Sequence, residues 1–399
     1  MSFFYHLPTF SPDSILGLQK LFLEDARAEK VNLVIGVFES PNKKYGGFSS
    51  VRKAQNVFLE DEINKRYLPV IGLGSYLDEM RDLSFGDIDP DNVFGCQALG
   101  GTGALHVGAL VFSMAGLSGK VFIPEQTWGN HIRIFAQQGL QVERYPYYDV
   151  GSRGLDFSKT LSALRNAPEK SLVLFHCCCH NPTGVDFTEN MWNDLAAVCK
   201  ERNLLPFFDM AYLGFAENLE SDRRPVRIFI DAGLTVFIAG CASKNFALYG
   251  ERVGYFAVHS TCKDDLERIS SCVQEKVRGE YSSPVRDGAM VVSTILSNPY
   301  LRQEWISELD MIRTSLQTLR TKFVQEMRSS IGHSFDFIGS QRGFFGYPGF
   351  STKQVDFLRE EKGIYTTSGG RFNLNGITNK NMQYVIQGFS EAYELSESS

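Results

Sequence analysis

No stretch of this 399-residue sequence stays apolar long enough to span a bilayer, and residues 1–10 lack the charged start and apolar centre of a cleavable leader. A cytoplasmic protein with no membrane partner is therefore expected. Neither sign of charge dominates. Forty Lys and Arg stand against 46 Asp and Glu, a net charge of −6, so there is no basic footprint for nucleic acid. Internal repeats and low-complexity tracts are absent. The eight cysteines, three of them consecutive at Cys177, Cys178 and Cys179, do not form the spaced framework of a disulfide-stapled chain, so reduced thiols are expected. A metal cluster of these thiols with His176 and His180 is excluded by strand geometry, because successive strand residues face opposite sides.

What is present is ample apolar material. At 43% hydrophobic and 22% charged, the chain has enough for a large core divided over two domains, and small-molecule chemistry is the class left standing. Residues 1–11 read as an aromatic arm whose Phe3, Phe4, Tyr5 and Phe10 need something to dock on. Apolar spacing predicts an amphipathic helix over 14–30, then a strand over 31–38, with a polar turn and domain boundary at 41–47. Between Gly100 and Asp209 helical and strand patterns alternate, which predicts a mostly parallel sheet flanked by helices, an α/β large domain over 45–311. A long helix is expected over 301–330. Residues 12–44 together with 312–399 read as a smaller α+β domain, with the last four residues frayed.

The chemistry converges on Cys241-Ala242-Ser243-Lys244-Asn245, where an apolar strand over 235–239 opens into a turn of small residues carrying one lysine. A lysine alone there would merely close a loop. Desolvated at a strand end, however, its amine becomes a nucleophile for a carbonyl. In a parallel sheet, ligands gather beyond the strands' C-terminal ends, and those ends supply Trp128, Asn181 and Asp209, with Tyr212 three residues on. Gly100-Gly101-Thr102-Gly103 opens a helix and offers N–H groups to an anion. An ionised Asp209 in an apolar setting calls for a cation such as a protonated pyridine nitrogen. Trp128 suits a ring face, and Arg252 suits a phosphate. An aldehyde, a cationic ring nitrogen, a ring oxygen and a phosphate together describe pyridoxal 5'-phosphate bound through Lys244.

The run from Ser243 to Gly254, with Asn181-Pro182-Thr183-Gly184 and Asp209-Met210-Ala211-Tyr212, resembles the aspartate aminotransferase branch of the class I aminotransferases, and the likeness extends from Val31 to Ile377. The resemblance implies a homodimer of two-domain subunits, with a fold type I large domain and active sites shared across the subunit interface. It implies that Lys244 holds the cofactor and shuttles a proton, that Asp209 pairs with the ring nitrogen, and that Tyr212 and Asn181 contact the ring oxygen. Gly101, Thr102, Ser243 and Arg252 match the phosphate positions, and Tyr67 the tyrosine that reaches the neighbouring subunit's phosphate. Trp128 matches the stacking residue, with His131 and His176 behind it. Arg371, beside Gly36, matches the clamp on the substrate's α-carboxylate. Arg278 matches the neighbour's arginine for a side-chain carboxylate. The implied reaction moves an amino group between L-aspartate or glutamate and 2-oxoglutarate or oxaloacetate, with no metal. Alternatives are an aromatic amino acid aminotransferase of the same family and a non-catalytic relative of the fold, the latter disfavoured by the retained Lys244, Asp209 and Arg252. One position departs from the pattern: Cys241 stands where a serine hydroxyl is usual, and a thiol is the weaker donor.

Overall fold

A computed structural model describes residues 2–10, 13, 15–38, 47–60 and 65–395. The chain divides into two compact units, one of residues 37–318 and 340–345, the other of residues 1–36, 319–339 and 346–399. The boundary expected at 41–47, the first residue of the expected 14–30 helix and the expected frayed end fall largely or wholly outside the described residues.

The larger unit is built on a seven-stranded sheet. Its strands, in chain order, are β1 (Val93–Leu99), β2 (Lys120–Pro124), β3 (Gln141–Tyr145), β4 (Leu172–His176), β5 (Leu205–Met210), β6 (Val236–Cys241) and β7 (Val253–His259). Their spatial order is β1-β7-β6-β5-β4-β2-β3. The five neighbours from β6 to β3 run parallel, while β7 is antiparallel to both β1 and β6. The central strands β4 and β6 are buried at every position, which is why they read as unbroken apolar runs and not as alternation. Helices such as Gly100–Met114 and Lys263–Glu280 flank the sheet and share its core with Phe207, Phe237 and Phe256. The register sets His176 on β4 opposite Asp209 on β5, and Cys241 on β6 opposite Gly254 on β7. Three chemistry-bearing positions thus end at one edge of the sheet.

The smaller unit departs from expectation at its start. Its first helix is only Leu16–Glu24. Asp25 turns the backbone extended, and its carboxylate takes the Arg27 N–H at 2.9 Å and the Arg27 guanidinium at 2.6 Å, bonds that a continued helix would break. The strand expected over 31–38 reduces to Val31–Asn32, parallel to Ile364–Tyr365. Beyond it, residues from the 371–373 segment take the carbonyls in place of a ladder. Leu33 accepts from the Asn373 N–H, Val34 from Arg371, and Ile35 from the Asn373 amide. The long helix is Pro299–Ile331, whose residues up to 318 belong to the larger unit and the rest to the smaller.

Candidate active site

Lys244 sits in the connection between β6 and β7, a tight path fixed by backbone bonds from Ala247 N–H to the Lys244 carbonyl (3.1 Å) and from Leu248 N–H to the Ala242 carbonyl (3.2 Å). Ala247 and Arg252 hold left-handed backbone angles (φ 52° and 54°). The neighbours of Lys244 anchor the turn. Phe246 stacks on Trp305 with ring centroids 4.5 Å apart, and the Trp305 indole N–H donates to the Asn245 carbonyl at 2.6 Å. The lysine amine, half-buried, lies 5.9 Å from the centroid of the Tyr212 ring and 5.5 Å from that of Tyr249.

Asp209 ends β5 with its side chain 11% exposed. Burial pushes its carboxyl up, but the hydrogen bond and charge of His131, with His176 and the Ala211 N–H behind them, outweigh burial and hold it below the ordinary range. The contacts form a chain with one consistent set of tautomers. The Asn181 N–H meets His176 Nδ1 at 3.4 Å, so Nε2 of His176 carries the proton and donates to Thr127 Oγ1 at 3.0 Å. Thr127 then donates to His131 Nδ1 at 2.8 Å, and His131 Nε2–H donates to Asp209 Oδ2 at 3.1 Å. Burial drives His176 down to about 3, keeping it neutral as this chain requires. Trp128 stands edge-on to His131, centroids 5.3 Å apart. Thr127 was missed by sequence reasoning, although its place beside Trp128 was a usable signal.

The Gly-rich turn begins the 15-residue helix Gly100–Met114, whose first N–H groups point out of its end. The Gly100 N–H donates to the Arg252 carbonyl at 3.0 Å, and a Cβ on Gly100 would collide with the Arg252 guanidinium. A Cβ on Gly101 would meet Cys241 Sγ at 3.4 Å, and one on Gly254 would overlap the Gly100 carbonyl. Helix start, arginine and Cys241 therefore form a cup that bare glycines keep open, with Ser243 buried in the turn beyond Cys241. The donor set fits pyridoxal phosphate: a cup of N–H groups and a guanidinium for a dianion, an ionised carboxylate with spare lone pairs for a ring cation, and an amine for an aldehyde.

The remaining predicted residues lie elsewhere. Tyr67 is 92% exposed. Arg278, in the last turn of Lys263–Glu280, is exposed and donates to Ser282 Oγ at 2.5 Å, and among the described residues it has no carboxylate partner. In the smaller unit Arg371 is buried and donates to the Val34 carbonyl at 2.7 Å, close in sequence to Gly36. The cysteine run serves the loops. Cys177 Sγ donates to the Asp222 carbonyl and Cys178 Sγ to the Tyr212 carbonyl.

The family profile described as aminotransferase class I and II matches residues 28–389. The mitochondrial aspartate aminotransferase of Xenopus tropicalis is 37% identical over 96% of this chain and 92% of its own length. The aromatic-amino-acid aminotransferase of Escherichia coli K12 is 36% identical over 97% and 99%. Among solved structures, the aromatic-amino-acid aminotransferase from Burkholderia pseudomallei covalently bound to pyridoxal phosphate is similar with a TM-score of 0.94 and 38% identity, covering 98% of this chain and all of that one.

Proposed function

The chain belongs to the class I and II aminotransferases, pyridoxal-phosphate enzymes, and from that premise we propose that its substrates are dicarboxylates, L-aspartate or L-glutamate with 2-oxoglutarate or oxaloacetate, turned over by a cytoplasmic homodimer. The observation that carries this reading is the pair of arginines: Arg371, buried and oriented by a backbone carbonyl, and Arg278, exposed without an acidic partner among the described residues. A planar guanidinium grips a carboxylate with both charge and orientation. Arg371 takes the α-carboxylate, with the backbone of Gly36 beside it. Arg278 takes the side-chain carboxylate in the neighbouring protomer's site. The names of the relatives favour aromatic amino acids as the second substrate class.

When bound, pyridoxal phosphate supplies an aldehyde for amine exchange and a ring that accepts electrons. The rest is done by this chain. Lys244 Nζ holds the cofactor, then carries a proton to and from the substrate Cα. Asp209 keeps the ring nitrogen protonated, backed by His131 and His176. Asn181 and Tyr212 would donate to the ring oxygen, and Trp128 would cover a ring face. Gly101, Thr102, Ser243 and Arg252 would hold the phosphate, and Tyr67 would serve the phosphate of the other protomer.

Replacing Arg278 by Asp tests the substrate class. A side-chain carboxylate set against a like charge is expected to lose two to three powers of ten in kcat/KM, equivalent to ~3–4 kcal/mol, while the phenylalanine half-reaction suffers far less. Equal slowing of both half-reactions would remove the dicarboxylate reading. A mixed dimer of one Arg278→Asp chain and one Lys244→Ala chain should regain dicarboxylate activity, since one of its two sites is then intact. Failure to regain it would refute sharing across the interface.

A further inference from the structure

The loops that carry Tyr212 and Asn181 are each closed around an acid that the proposed chemistry does not use. Asp222, 3% exposed on the helix Leu219–Asp231, accepts the N–H groups of Gly214 (2.8 Å) and Ala216 (3.0 Å) on Oδ2 and of Glu217 (2.9 Å) on Oδ1, the stretch that follows Tyr212. Asp186 accepts the N–H groups of Cys179 and His180, each at 2.8 Å on a separate oxygen, the two residues before Asn181. The first of these bonds to Asp186 holds a backbone angle that a residue with a side chain adopts only at a cost, since Cys179 is left-handed (φ 51°). Cys177 Sγ, donating to the Asp222 backbone carbonyl at 3.1 Å, ties one loop to the other.

These acids are retained at a cost to the fold. Burial pushes Asp186 up to about 6 against the pull of its two N–H donors and of Arg342, and Asp222 also rises with burial despite its own donors. A carboxyl whose pKa rises on folding binds its proton more tightly in the folded chain, so it adds stability as pH falls and removes it as pH climbs past the folded value. At neutral pH both are a net expense. Yet among the described residues the hydrogen bonds their side chains accept go to the loops beside the two ring-oxygen residues.

We propose that Asp222 and Asp186 are positioning residues, which by clamping backbone N–H groups fix the Tyr212 phenol and the Asn181 amide against the cofactor's ring oxygen. This rests on the cofactor contacts proposed above. A hydrogen bond to the ring oxygen loses strength steeply with distance and angle, so a loop freed to drift donates less well. Weaker donation disfavours the anionic oxygen and raises the pH at which the bound chromophore titrates.

The experiment uses holoenzyme with Asp222→Asn and, separately, Asp186→Asn. Each variant keeps side-chain shape and one acceptor oxygen, but turns an NH2 group toward a backbone N–H. Since each also removes a costly buried charge, folding is expected to survive. The midpoint of the pH titration of the visible absorbance should move up by about 0.5–1 unit, the size of one weakened hydrogen bond, with kcat reduced more than KM is raised. Lower thermal stability with an unmoved midpoint in both variants would assign the acids to folding alone and overturn the proposal. A wild type with no visible band responsive to amino acids would instead refute the cofactor reading. A further measurement needs no variant: amide hydrogen exchange of Cys179, His180, Gly214, Ala216 and Glu217 should be slow in the wild type, and fast exchange there overturns the clamp.

Discussion

Cys241 stands, by the resemblance to the aminotransferases, where a serine of the proposed phosphate cup is expected. It is 5% exposed, and its sulfur lies against Gly101 at the start of the 100–114 helix. A hydroxyl there donates a stronger, charge-assisted hydrogen bond to a phosphate than a thiol does. Cys241→Ser is therefore expected to tighten the cofactor by ~1 kcal/mol, roughly fivefold in the half-saturating concentration. Equal or weaker binding would mean that the cup has adapted to sulfur. Residues that act through their own side-chain chemistry were the legible ones. Lys244, Asp209 and the arginines declared themselves by type and context. Thr127, Asp186 and Asp222 did not, because they serve backbone groups or other side chains, and a threonine or aspartate near a loop is ordinary in any sequence.

Among the elements, parallel strands such as β4 and β6 were read from their apolar runs, whereas β1 and β7 escaped. Each carries a glycine, Gly95 or Gly254, that a local reading takes for a turn, and it is tertiary pairing, β1 with β7 and β7 with β6, that makes strands of them. The shortened first helix and the reduced first strand of the smaller unit escaped for a related reason: the Asp25–Arg27 contact and the hydrogen bonds from Arg371 and Asn373 are formed by tertiary context that propensity does not contain. Gly254 gives this a test. Its backbone lies so close to the Gly100 carbonyl that Gly254→Ala must push β7 and the helix start apart. Overpacking of this kind costs ~1–3 kcal/mol, and here the cost falls on the cup. Cofactor affinity should drop about tenfold or more while the far-ultraviolet circular dichroism stays that of the wild type. Unchanged affinity would show that the cup tolerates the added methyl.

For the molecule as a whole, buried titratable groups set the response to acid. His176 is held near 3 by burial, and His180, sealed beside Tyr147, lies well below its ordinary value for the same reason. For a base with a depressed folded pKa, the unfolded chain takes the proton first, so the stability present above about 6.5 is lost as pH falls. Asp186 opposes this, gaining as pH drops through about 6. Asp222, whose carboxyl burial also raises, opposes it in the same sense, so the net loss between pH 7.5 and 5.5 is smaller than the two histidines alone would give. Calorimetry should find a lower Tm at pH 5.5, with a smaller drop in His180→Asn; a Tm that rises on acidification would contradict the assignment. The bond from the Gly100 N–H to the Arg252 carbonyl has a consequence of another kind, concerning order in time. Its two ends lie far apart in the chain, and β1 has no partner on its β7 side until Val253–His259 has been made. A chain still emerging from the ribosome short of that strand can hold its parallel strands and its glycine turn, but not the cup between them. Cofactor capture is thus placed late in synthesis, after most of the larger unit's sheet has been laid down.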